Sequence, residues 1–101
     1  MRHQSLTLGA LDCSVVMAEG LAEPDRAIVL CHGFGAPGDD LVPLAPELLS
    51  CRPELSGRTL FVFPQAPLSP PEFRPFGGRA WWPLDMARLQ AAIASGEFRD
   101  L

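Results

Sequence analysis

His32, Gly33, Phe34, Gly35 and Gly38 are the residues of this 101-residue chain whose types and spacing could do chemistry. They follow the apolar run Ala27-Ile28-Val29-Leu30-Cys31, so a strand covered on both faces would deliver the glycines at its carboxyl end. Two chemistries use such a loop. In acyl transfer a carbonyl becomes a tetrahedral oxyanion, and preorganised backbone N–H groups stabilise that charge more in the transition state than in the ground state. A glycine-rich turn can aim such a donor without obstruction. In dinucleotide binding a G-x-G-x-x-G loop cradles a pyrophosphate, and Gly33-x-Gly35-x-x-Gly38 satisfies that pattern literally. Here Pro37 withholds one N–H from such a cradle. The next apolar run ends Val62-Phe63-Pro64-Gln65, with no acid to hold a ribose hydroxyl. The oxyanion reading is the stronger, with a dinucleotide-binding module as its alternative.

The partners of an oxyanion donor are harder to find. A nucleophile elbow requires G-x-S-x-G, and none of Ser5, Ser14, Ser50, Ser56, Ser69 or Ser95 has glycines at that spacing. No histidine follows His32, so a triad in the order Ser, acid, His cannot be drawn. Cys31 beside His32 is no thiol–base pair, because adjacent strand residues point to opposite faces. Cys13, Cys31 and Cys51 lie too far apart for a Cys-x-x-Cys clamp and read as structural or incidental thiols, with no metal and no cofactor expected.

The elements that must position the loop can be read from periodicity. Ser5 to Leu8 and Cys13 to Ala18 suggest an opening hairpin joined near Gly9-Ala10-Leu11-Asp12. The turn Glu23-Pro24-Asp25-Arg26 precedes the first buried strand, and Thr59-Leu60-Phe61-Val62-Phe63 is a second. Between them Leu41, Leu44, Ala45, Leu48 and Leu49 form one helical stripe, with Asp39-Asp40 as its expected N-cap. Pro46 should kink that helix or delay its start. Strand, helix and strand make a βαβ unit. From Pro64 to Pro83 the chain reads as a long structured loop holding Phe73, Phe76, Trp81 and Trp82, and Leu84 to Ser95 as a helix stopped by Gly96.

Composition sets outer bounds. With 48% hydrophobic and 20% charged residues, positions 1–101 form at most one globular domain. The net charge is −4 and all eight basic residues are scattered arginines, which leaves no face for nucleic acid. No signal-peptide core or membrane span can be drawn, and a cytoplasmic location is expected.

Three blocks in order carry a family resemblance: Ile28-Val29-Leu30-Cys31-His32-Gly33-Phe34-Gly35-Ala36-Pro37-Gly38-Asp39-Asp40, then Phe63-Pro64-Gln65-Ala66-Pro67, then Gly77-Gly78-Arg79-Ala80-Trp81-Trp82-Pro83-Leu84-Asp85. Together they resemble the phospholipase/carboxylesterase family, which includes acyl-protein thioesterases, of the α/β-hydrolase superfamily. The resemblance implies an α/β fold, the N-terminal portion of an α/β-hydrolase sheet comprising the opening hairpin and the βαβ unit. It implies a serine hydrolase of carboxylic esters or thioesters. His32 and Gly33 would shape the turn, the Phe34 N–H would be the first oxyanion donor, and Phe34, Trp81 and Trp82 would face a small-molecule acyl substrate. The family's elbow would follow the last helix, so the chain is expected to be the first part of a longer esterase, inactive alone. The alternative is a non-catalytic fragment that binds acyl groups or a partner. Self-association through an exposed sheet edge is expected in either case. Arg79 could pair with Asp85, and the residue types leave that open.

Overall fold

A computed structural model describes residues 1–18, 20 and 23–98. Its architecture is mixed α/β: four strands in one sheet, ordered β1-β2-β4-β3, with two short helices. β1 (Arg2–Leu8) and β2 (Leu11–Met17) are the expected hairpin, antiparallel, with Leu8 opposite Leu11. Only Gly9 and Ala10 make the turn, with Leu11 and Asp12 already in the second strand. Gly9 sits at φ +62°, which a two-residue hairpin requires at its first position and which a side chain would oppose.

β4 (Thr59–Pro64) lies between β2 and β3 (Arg26–Val29), antiparallel to the first and parallel to the second. One face of this sheet carries Val16, Phe61 and Phe63 with Ile28 and Leu30. Against it pack Ala45, Leu48 and Leu49 of α1 (Leu44–Cys51), joined by Leu41 and Val42. This is the core of the fold. Burying these side chains contributes about 1.5–3 kcal/mol for each large one. The other face runs Val15, Val62, Val29 across the strands. Its cover fades from Val15, 2% exposed, to Val29, 56% exposed. The run 27–31 is therefore not the strand covered on both faces that its apolar residues suggest: β3 lies at the sheet edge and only its α1-facing side is packed.

The expected Asp39-Asp40 cap is not where α1 begins. The helix starts at Leu44 with Pro43 as N-cap and no side-chain capping bond. Pro46 is the reason. As the third helical residue it sits where no intrahelical N–H is needed, whereas a start at Leu41 would put its missing donor mid-helix. Asp39 and Asp40 instead form successive turns, with Asp40 N–H donating to Pro37 O and Val42 N–H to Asp39 O.

The second helix, α2 (Met86–Ser95), begins on Asp85, whose carboxylate accepts from Arg88 N–H at 3.2 Å, and ends on Gly96 at φ +75°. Among the described residues no helix is long and apolar enough to cross a membrane.

Candidate functional site

Beyond the end of β3 the chain runs into the loop through a buried histidine. His32 is 3% exposed, and both ring nitrogens are engaged: Nε2 accepts from Ala66 N–H at 3.1 Å, and Nδ1 lies 2.9 Å from Gly33 O. A nitrogen that accepts carries no proton, so the proton is on Nδ1 and is donated to Gly33 O. The ring is thereby a strut between the loop and the segment that follows β4, and its one basic lone pair, on Nε2, is already taken by Ala66 N–H.

Ala36 N–H donates to Gly33 O at 3.2 Å, closing a four-residue turn with Phe34 and Gly35 at its centre. Gly35 has φ +84°, the sign that a type II turn demands at its third position. The ring of Phe73 lies beneath it, so that a Cβ there would stand 3.2 Å from Phe73 Cζ. Phe34 is the second residue of this turn, whose N–H takes no part in the closing bond. Among the described residues no acceptor takes it.

The segment Phe73–Trp81 clamps the turn from outside. Gly35 N–H donates to Arg79 O at 2.8 Å and Arg79 N–H to Ala36 O at 2.9 Å, with Pro37 bridged to Gly78. Gly78 must be glycine, because a Cβ there would collide with Gly35 O and Phe73 Cβ. Arg79 does not pair with Asp85, which caps α2. Its guanidinium donates to Ala66 O at 3.0 Å and Pro67 O at 3.3 Å, fixing the segment after β4 that holds the His32 ring. Trp81 completes the clamp. Its Nε1–H donates to His32 O at 2.8 Å, and its ring lies 5.2 Å from the imidazole.

The two tryptophans therefore diverge. Trp81 is turned onto His32, whereas Trp82, 58% exposed, lines a groove of about 330 Å³ with Phe34, Leu68, Pro70, Glu72 and Leu84. The groove brings together two of the three expected substrate-facing residues. Phe34 is steadied there by an edge-to-face contact with Phe73 at 5.3 Å. A larger hollow of about 540 Å³ lies between the hairpin and Pro37-Gly38-Asp39, lined by Asp12, Ser14 and Gln65, with no histidine in its wall. Gly38 lies tight against the Gln65 side chain.

No known protein family, curated protein or solved structure matches this chain. The site is thus read from its own geometry: a backbone donor presented at the end of a strand, beside an apolar groove. Among the described residues no cluster of three His, Cys, Asp or Glu side chains could hold a metal ion. Phe73 and Arg79 were not singled out for the loop by the sequence, since an isolated aromatic and an isolated arginine in a proline-rich stretch carry no periodic signal.

Proposed function

We propose that this chain carries the oxyanion-loop portion of a serine hydrolase acting on carboxylic esters or thioesters, of the phospholipase/carboxylesterase type. In this reading the sheet is the opening portion of an α/β-hydrolase sheet. The observation that supports it is the Phe34 N–H, which a strand end, a glycine turn and a buried histidine strut together leave without an acceptor. A donor held this way needs no reorganisation when charge develops on a carbonyl oxygen, and removing one such donor costs about 10²–10³ in kcat. The second donor, the nucleophile, the acid and the base would come from elsewhere in the enzyme.

The dinucleotide alternative gains less support. Gly35 N–H is already used by Arg79 O, Pro37 has none to offer, and Gln65 fills the space above Gly38. Ligand binding without turnover is the reading that the groove itself favours, since its wall stands formed without a nucleophile.

Two measurements test the catalytic reading. Reading the coding frame past Leu101 should reveal G-x-S-x-G followed by Asp and His; a stop codon there overturns catalysis by this chain. In the polypeptide from that complete frame, Phe34→Pro removes the N–H and should lower kcat for a p-nitrophenyl ester by about 10²–10³. Phe34→Ala retains the N–H and should mainly raise KM. Equal kcat for the two variants would sink the proposed role of Phe34.

A further inference from the structure

The groove beside Phe34 has one ionisable side chain in its wall, Glu72, set among Phe34, Leu68, Pro70, Trp82 and Leu84. Among the described residues no ion pair engages this carboxylate. Arg74, two residues on, donates its Nε–H to Ser69 O, a carbonyl of the same wall, at 3.1 Å, so its charge stands outside the groove and offsets part of the Glu72 field. The hollow that adjoins the groove through Pro83 and Leu84 carries one acid and one base, Asp85 and Arg88, so it adds no net sign. A carboxylate at the mouth of an apolar wall focuses its field on whatever enters. The exposed ring face of Trp82 is attractive to cations for its own reason, the negative quadrupole of the indole. A volume of about 330 Å³ is near the low end for ligand pockets, which suits one chain rather than two.

We propose that this groove takes a single apolar chain bearing a neutral or cationic head, and that Glu72 is the specificity-determining residue that turns anionic heads away. As the substrate class of a hydrolase, this rests on the reading above; as a binding preference, it rests on the groove alone.

The test uses the 101-residue chain and three probes with the same tail: octyltrimethylammonium, octanol and octyl phosphate, titrated at low ionic strength and followed by tryptophan fluorescence. Saturable binding should weaken in that order, by about fivefold at each step, cation to neutral and neutral to singly charged anion, for one exposed charge about 4 Å away. The gap should shrink as salt rises towards a Debye length of about 10 Å at 0.1 M. Glu72→Gln should close most of the gap, whereas Glu47→Gln, an equal change in net charge on α1, should leave it unchanged. Trp82→Ala should weaken all three probes. Equal affinities, no saturation, or identical effects of the two glutamine variants would overturn the proposal. Loss of this preference with intact dependence of kcat on the Phe34 N–H would leave the hydrolase reading standing, and the reverse outcome would leave the groove as a binding site only.

Discussion

At Trp81 a single indole N–H connects the aromatic loop to the backbone that presents Phe34. Trp81→Phe keeps a ring over His32 and removes only the donor, leaving the His32 carbonyl without that partner. A hydrogen bond of this kind contributes about 1 kcal/mol net, so the melting temperature should fall by about 4–8 °C for a domain of this size. Amide exchange at Phe34 should quicken as well, because the turn loses one of its outside attachments. An unchanged melt with unchanged exchange would show that the clamp works without Trp81. The family resemblance implied both tryptophans at a pocket, and two adjacent indoles carry no mark in the sequence of which one faces inward. Only the return of residues 77–81 along the loop decides it, and that return depends on Gly78 having no side chain.

At the scale of elements, the parallel pairing of β3 with β4 begins at an ion pair. Arg58 donates to Asp25 through Nε at 3.0 Å and Nη2 at 2.7 Å, while Asp25 and Arg26 N–H both donate to Arg58 O. The Arg58 hydrogen bond holds the Asp25 carboxyl below its ordinary range, opposed in part by desolvation. A carboxyl with a depressed folded pKa stabilises the fold above its unfolded pKa, and that contribution is lost as pH falls through the folded value. Denaturant midpoints measured from pH 6 to pH 2 should therefore drop below about pH 4, and Asp25→Asn should flatten that acid limb. The pair is exposed, so the effect should diminish in 1 M salt. If Asp25→Asn follows the same pH curve, the pair has no such role. The elements themselves were largely legible. β3, β4, the hairpin and α2 with its Gly96 stop follow from apolar runs and turn residues, because the signal in each lies within a few neighbouring residues, although β3 is an edge strand rather than an inner one. The start of α1 was not, because capping propensity at Asp39-Asp40 competes with the placement of Pro46 and the proline prevails. The loop's glycines were visible as a motif, but the groups that fix it, the Phe73 ring and the Arg79 backbone, come from about 40 residues along the chain.

Over the whole molecule, the described architecture is open. Its radius of gyration is 17.0 Å, against about 13 Å for a compact domain of 100 residues. It exposes 6714 Å², where a compact monomer of this mass would expose about 5,600 Å². The excess has identifiable sources. β1 is exposed along its whole length, and β3 pairs on one edge only, with Val29 bare on the face where Val15 is covered. A strand edge with unpaired N–H and C=O groups beside an exposed valine is a template for another strand. The 101-residue chain should therefore self-associate, with a sedimentation coefficient that rises with concentration. Val29→Lys places a charge at that edge and should shift the population towards monomer. The substitution should cost little stability, since surface changes away from packed contacts usually stay within about 0.5 kcal/mol. Sedimentation separates the outcomes: a wild-type chain that stays monomeric at high concentration, or a lysine variant that associates equally, would place the driving contact away from β3.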